Sequence, residues 1–332
     1  METRKLQKIG GSTYSVSLPK EWATEHRLEA GMPIHLYPHT DGSLVVRSAA
    51  QDGGPLSTTE IRLPRSDATA VARALRAAHA VGYDTITLRA PEPFSDDERR
   101  AARRLTQTMV GLSVVEETDD RITVENLLDP AEVSIRQSVI QLQFTALSMH
   151  RTAIDALSDA PGDPDRLDGR DDEVDRLFAM ITRHFNRSLT DFEEVDHLDV
   201  RRPELFDAYI AARQIERIAD HAVRIGRLAD RVDPDVSDEV LAAVTDLADA
   251  SRDVVEAATG TVLDPAVDPA HEALDRRDEV VDDAVALDRT LFERSPPGAY
   301  ALSRVLASLI RTAECGGNIA AVALRASARP DP

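Results

Sequence analysis

Two pairs of acidic residues stand at helical spacing in this sequence. Asp171 and Asp175 are four positions apart, and so are Glu216 and Asp220. Residues four apart lie one above the other on a helix, so each pair points one way. Both pairs are symmetric about position 195.5, because 171 with 220 and 175 with 216 share this midpoint. The polar, proline-containing run 194–203 near that point predicts a turn. If two helices fold back there, four carboxylates meet at one level.

The arrangement recurs about a hundred residues later. Asp278 and Asp282 form the first pair of the second copy, and Glu314 aligns with Asp220. The run 295–298, Ser-Pro-Pro-Gly, is a strong helix breaker at the matching centre. Ile310 stands at the position of Glu216, so this copy has three carboxylates instead of four.

Two interpretations of these carboxylates remain open. Charged residues at helical spacing often form a solvated face, and Arg213, Arg217 and Arg224 could make surface ion pairs with them. The repetition in matched register favours a bound cation instead. Oxygen ligands alone suit Mg, Mn, Fe or Ca better than a structural zinc site.

The paired Asp-x-x-x-Asp segment and the following Glu216–His221 segment, in two tandem copies, resemble the PhoU family of phosphate-signalling proteins over residues 131–328. The resemblance implies two tandem three-helix bundles, over residues 131–231 and 236–328, that regulate phosphate uptake and its sensing. It also implies metal ligands, which here would be Asp171, Asp175, Glu216, Asp220, Asp278, Asp282 and Glu314.

The composition limits the class of protein. The 332 residues carry 59 acidic and 39 Lys or Arg side chains, a net charge of −20, and only three lysines. Such acidity with few lysines resembles proteins of salt-accumulating, haloarchaeal cytoplasm. The single cysteine, Cys315, excludes an intrachain disulfide and fits a reducing compartment. No signal segment and no apolar run of about 18 residues is present, so we expect a cytoplasmic protein.

All three lysines lie within the first twenty residues, in a segment 1–48 that is slightly basic while the rest is strongly acidic. A Gly10-Gly11 turn and an Asp41-Gly42 turn predict two hairpins, separated by a short helix around residues 21–26. So short a segment buries too little surface to be stable alone, which favours a dimer.

The matching residues 8–12, 15–20, 28–31 and 41–44 make this segment similar to the AbrB/SpoVT DNA-binding family. The resemblance implies a swapped-hairpin β-barrel built by two chains, and therefore a homodimer that binds DNA. The alternative is a dimerisation module alone. The residues that would contact DNA are Arg4, Lys5, Lys8, Ser12, Ser15 and Lys20.

Between these regions, residues 60–128 alternate strand and helix patterns and predict a small α+β domain. They contain no phosphate-binding loop and no catalytic motif, so a spacer and a small ligand domain both remain open. The predicted fold class is therefore multidomain and mainly α, with a β-barrel module first, this α+β domain next and the helical bundles last.

Three functions follow from these features. The first is a phosphate-responsive regulator that binds DNA, and the second is an adaptor that docks on a phosphate transporter or sensor. The third, a di-metal oxidase, needs Glu-x-x-His pairs on facing helices. We expect no such pair anywhere in the helical region, and therefore a protein that is not an enzyme.

Overall fold

A computed structural model describes most of the chain, which forms two compact units, residues 1–54 and 55–332. The described residues are 3–38, 42–48, 56–65, 67–158, 164–191, 193–233, 235–264, 266–296 and 298–329. Among them, no helix combines the length and the hydropathy needed to cross a membrane.

The N-terminal unit consists of two antiparallel hairpins and one short helix. Its elements are β1 (Gln7–Ile9), β2 (Thr13–Ser15), α1 (Lys20–Glu25), β3 (His35–Pro38) and β4 (Leu44–Arg47). Gly10, with φ 67°, makes the first turn, as predicted. Asp41 of the second predicted turn lies outside the described residues. The described part of one chain closes no barrel, and a barrel formed by two chains stays a prediction.

The second unit begins with the α+β region predicted from the sequence. Its elements are β5 (Thr58–Arg62), α2 (Ala68–Val81), β6 (Thr85–Arg89), α3 (Asp96–Gln107), β7 (Leu112–Glu117) and β8 (Arg121–Asn126). The strand order is β5-β6-β8-β7, with β5 and β6 parallel and the other pairs antiparallel. Ser95 and Glu98 form a reciprocal capping box at the start of α3, which explains where that helix begins.

The remainder is helical. The elements are α4 (Ile135–Asp155), α5 (Pro164–Ser188), α6 (Glu193–His197), α7 (Arg202–Ala229), α8 (Asp238–Leu263), α9 (Val267–Arg294) and α10 (Ala299–Ser327). The first bundle packs α4, α5 and α7 together, and the second packs α8, α9 and α10. Helices α7 and α10 also pack against each other, so one hydrophobic core runs through both bundles.

This helical architecture confirms the predicted fold class, with one local correction. The run 194–203, predicted to be a turn, contains the short helix α6 in addition to the change of direction. Six long helices lie within the two predicted bundle ranges, 131–231 and 236–328. The break between α9 and α10 carries Ser295 at φ 44° and Gly298 at φ 74°, which shows why the chain turns there; Pro297 lies outside the described residues.

Candidate cation site and candidate nucleic-acid interface

Helices α5 and α7 bring the first set of carboxylates together. Ile215, Ile218 and Ile225 of α7 are fully buried, which fixes the rotation of this helix about its axis. Glu216 and Asp220 therefore stand on the neighbouring stripe, at the edge of the core. Beyond the effect of burial, the charge of Asp220 raises the pKa of Asp175, and the charge of Asp175 raises the pKa of Glu216. Helix α5 therefore presents its acidic pair to the same place as α7.

Crowding and partial burial make Asp171, Asp175 and Glu216 resist ionisation. Burial, followed by the charges of Asp175 and Asp220, raises the pKa of Asp171 to about 6. Burial also raises the pKa of Glu216 to about 7, against the opposing charge of Arg213. The pKa of Asp175 is raised by loss of hydration and by Asp220, although this side chain reaches solvent. Negative charge is therefore in excess at this point.

Two arginines supply part of the missing positive charge. Arg213 donates a hydrogen bond to Glu216 Oε2 at 3.1 Å. Arg76 of α2 lies close enough to Asp175 to oppose the rise in its pKa. Neither arginine reverses the rise in the pKa values of Asp175 and Glu216. These carboxylates therefore still favour protonation or a bound cation.

The donor chemistry of Asp171, Asp175, Glu216 and Asp220 fits a hard divalent cation, because all the donor atoms are carboxylate oxygens. Among the described residues, however, no group of three or more His, Cys, Asp or Glu side chains is already arranged as a ligand set. Side-chain rotation on α5 and α7 would have to complete such a site.

The carboxylates of the second bundle are in a different environment. Asp278 and Asp282 are exposed on α9, and Asp278 is paired with Arg277 at 2.7 Å. Glu314 of α10 accepts a hydrogen bond from Arg311 at 2.6 Å. Two of these three predicted ligands are thus neutralised by an arginine close to them in sequence, in contrast to the crowded set on α5 and α7.

A glycine explains where Arg277 lies. A side chain on Gly317 of α10 would come within 3.2 Å of the Arg277 side chain, which therefore rests against the bare backbone. In the first bundle the aligned position is Val223, which packs in the hydrophobic core. The glycine thus leaves room beside the acidic pair of the second bundle for a basic side chain.

The sequence did not reveal a largely buried charged network between the α2–β6 loop, α5 and α6. Arg183 and Arg187 both donate to Asp84 Oδ1, at 2.6 and 2.5 Å. Arg187 also donates to Glu194 Oε2 at 3.1 Å, and Nδ1 of His184 lies 2.5 Å from Glu194 Oε1. This network joins the α+β region to the same helix that carries Asp171 and Asp175.

The expectation that the helical region holds no Glu-x-x-His pair is wrong at one place. Glu194 and His197 have this spacing in α6, within the run predicted to be a turn. Glu194 is buried against His184 and Arg187, whereas His197 is exposed. The two side chains therefore do not share one site. His221, predicted to pack, is partly buried, and burial lowers its pKa.

Of the six residues predicted to contact DNA, five are exposed, namely Arg4, Lys5, Lys8, Ser12 and Lys20, and Ser15 is partly exposed. The β1–β2 register pairs Lys8 with Tyr14 and Gln7 with Ser15. Because successive side chains alternate between the faces of a hairpin, Lys8 and Ser15 lie on opposite faces. One chain does not turn all six residues toward one surface.

The N-terminal unit has apolar side chains but no core of its own. None of its described side chains is buried. Its large exposed hydrophobic residues are Leu6, Ile9, Tyr14, Val16, Met32, Ile34, Leu36 and Leu44. This is the pattern of a fold whose core is completed by another surface.

Comparisons with known proteins agree with this division of the chain. Residues 139–229 match the PhoU domain, and residues 7–53 match the family described as antidote-toxin recognition MazE, bacterial antitoxin. No curated protein sequence matches the chain.

Two similar solved structures each cover somewhat more than half of the chain. The phosphate transport system regulatory protein PhoU from Streptococcus pneumoniae is 13% identical with a TM-score of 0.43, covering 58% of this chain and 93% of that one. PhoU from Pseudomonas aeruginosa is 19% identical with a TM-score of 0.42, covering 57% of this chain and 93% of that one.

Proposed function

We propose that this chain, which contains a PhoU domain and an N-terminal domain of MazE antitoxin type, is a regulator of phosphate homeostasis that acts as a DNA-binding dimer. Its N-terminal unit recognises a promoter, and its helical unit responds to phosphate status through a cation or a partner protein. The PhoU domain is the domain of a phosphate regulator and not of an enzyme.

The observation that carries this proposal is the N-terminal unit without a core. Eight large hydrophobic side chains are exposed in a segment that also holds every lysine of the chain. Pairing of two such segments buries the apolar residues in a shared core. It also doubles the number of basic side chains available to phosphate groups. Lys8 and Ser15, on opposite faces in one chain, then serve different surfaces of the dimer.

The helical unit supplies the regulatory part of the proposal. The carboxylates that would hold a divalent cation are Asp171, Asp175, Glu216 and Asp220. A bound cation supplies positive charge that removes the repulsion within this group. The chain's own contribution is to hold α5 and α7 by their buried faces, so that the two acidic pairs stay opposite each other.

The net charge of −20 favours a second candidate, an adaptor without DNA binding that docks on a phosphate transporter or sensor. A strongly acidic protein is repelled by nucleic acid at ordinary ionic strength. In molar salt this repulsion is screened within about 3 Å, but so is the attraction of the lysines. DNA recognition would then depend on direct base and shape contacts.

Chromatin immunoprecipitation from cells grown with and without phosphate separates the two candidates. The regulator predicts enrichment at phosphate-transport promoters that changes with phosphate and disappears in the Lys8→Ala/Lys20→Ala variant. Arg325→Ala, which removes a basic residue near the end of α10, is the matched control and should retain enrichment. Absence of enrichment in both media, with a transporter or sensor recovered instead, would support the adaptor.

A further inference from the structure

Hydrogen bonds from α5 hold the carboxyl-terminal end of α2. The side-chain amide of Asn186 donates to the carbonyl oxygen of Ala80 at 2.7 Å, and Arg187 donates to that of Gly82 at 2.8 Å. Gly82, at φ 109°, ends α2 in the left-handed conformation, and a Cβ atom there would lie 2.2 Å from the Arg187 side chain. These contacts fix which face of α2 lies against α5.

The two faces in contact also carry Arg76 and Asp175. Arg76 precedes Ala80 by four residues, so both lie on one stripe of α2. Asp175 precedes Asn186 by eleven residues, about three helical turns, so these two lie on one stripe of α5. The α+β region therefore presents a basic side chain to the helix that carries the acidic pair.

The charges agree with this placement. Burial, Asp220 and Asp172 raise the pKa of Asp175, and among the positive charges that oppose this rise Arg76 has the largest effect, followed by Arg213 of α7. Arg76 is exposed and forms no ion pair with a carboxylate in the part of the chain that the structure describes. Its positive charge thus acts on the acidic group without a fixed partner.

We propose that Arg76 couples the α+β region to the cation site between α5 and α7, because the guanidinium and a bound cation compete for the same negative charge. This inference rests on the cation site proposed above. Two positive charges near one group of carboxylates repel each other, and each weakens the hold of the group on the other by the same factor. The α+β region then serves as more than a spacer, since its contact with α5 responds to the cation.

The other end of the α2–α5 contact does not take part in this competition. Arg187 has carboxylate partners of its own, because it donates to Asp84 at 2.5 Å and to Glu194 at 3.1 Å. The carboxyl-terminal end of α2 therefore stays attached while the contact at Arg76 weakens. In sequence, α2 lies between the N-terminal unit and the bundles, so its response lies on the covalent path from the cation site to the unit proposed to bind DNA.

The affinity for Mn²⁺, measured by calorimetry on the full-length protein at constant ionic strength, tests the competition. Arg76→Gln should bind Mn²⁺ roughly fivefold more tightly than wild type, because it removes a positive charge close to a divalent cation. Arg76→Lys keeps the charge and should retain the wild-type affinity. The matched control is Arg104→Gln, which should also retain it. Arg104 is likewise exposed and without an ion pair among the described residues, but it lies on α3.

Hydrogen exchange of the α2 backbone amides tests the reciprocal effect, with the amides of α3 as the internal reference. Adding Mn²⁺ to wild-type protein should speed exchange in α2 relative to α3, because the attraction between Arg76 and the carboxylates is lost. In Arg76→Gln that attraction is already absent, so Mn²⁺ should leave the relative exchange of α2 unchanged.

Equal affinity of wild type and Arg76→Gln for Mn²⁺, or weaker binding by the variant, overturns the coupling and leaves the cation site standing. Equal tightening by Arg76→Gln and Arg104→Gln also overturns it, since the effect then comes from net charge alone. Exchange in wild-type α2 that does not respond to Mn²⁺ contradicts the reciprocal effect. Absence of Mn²⁺ binding to wild type contradicts the cation site itself, and the coupling with it.

Discussion

The two helical bundles carry the same spacing of carboxylates in opposite electrostatic states. On α5 and α7 the acidic side chains crowd one another, and burial and repulsion raise the pKa of Asp171 to about 6. On α9 and α10 the corresponding side chains point to solvent, and Arg277 and Arg311 pair with two of them. Spacing along a helix therefore brings carboxylates together, but neighbouring charge and burial decide whether they need a cation.

The difference has a local cause in each bundle. In the second, Gly317 lets Arg277 lie across α10, and Ile310 replaces the fourth acidic residue. In the first, Val223 packs in the core at the position of the glycine, and Arg213 forms an ion pair with Glu216. We therefore propose cation binding for the first bundle only, and the predictions below compare the two bundles under matched changes.

The largest effect should come from pH in protein stripped of cations. The folded-state pKa values of Asp171 and Glu216, about 6 and about 7, lie above the reference values of 3.8 and 4.5. At these two groups the folded protein binds more protons than the unfolded chain between about pH 4 and pH 7, so their contribution to stability falls as pH rises through this window. Discounted for solvent screening, the loss should be roughly 2 kcal/mol.

Urea unfolding at pH 5 and pH 8 in the presence of a chelator measures this loss. The Asp278→Asn/Asp282→Asn variant is the control and should show the same loss as wild type, because the second bundle does not contribute to it. Burial lowers the pKa values of His79, His150 and His221, so these groups add stability as pH rises. The loss is therefore read as the difference between wild type and Asp171→Asn/Glu216→Gln, and an equal response of these two proteins would show that the α5–α7 carboxylates are not crowded in solution.

A smaller effect should follow from Glu216→Gln without cation at pH 8. This change removes a charge that burial disfavours while keeping the shape of the side chain, so we expect stabilisation of about 1 kcal/mol. The matched change Glu314→Gln removes an exposed charge paired with Arg311 and should shift stability by less than about 0.5 kcal/mol. The denaturant midpoints of the two variants, each compared with wild type, provide the measurement. Equal changes in midpoint would show that the carboxylates of the two bundles do not differ in electrostatic environment.

The smallest effect should come from Arg277→Ala in the second bundle. Arg277 makes a partly exposed ion pair with Asp278 and rests on Gly317, so its loss should cost about 0.5 kcal/mol. The variant should still bind no cation in the second bundle, since Asp278 and Asp282 remain exposed. Cation uptake gained by this single change would mean that the arginine alone distinguishes the two bundles.

The sequence predicted the meeting of Asp171 and Asp175 with Glu216 and Asp220 because helical spacing and a central change of direction are local properties. The sequence did not reveal that the carboxylates of the second bundle are in a different environment from those of the first. The contact between Arg277 and the backbone at Gly317 depends on packing between α9 and α10. It also missed Glu194, which is buried because Arg187 and His184 reach it from α5. Burial of such a side chain depends on partners from separate elements, and no local pattern records them.

The stoichiometry of bound divalent cation tests the assignment most directly. Protein dialysed without chelator would be analysed for bound metal as wild type, as Asp175→Ala/Asp220→Ala, and as the matched Asp278→Ala/Asp282→Ala. We predict that the first double variant loses most of the bound metal and that the second retains it, as in wild type. Equal metal content in the two double variants, or no metal in wild-type protein, would contradict a cation site between α5 and α7.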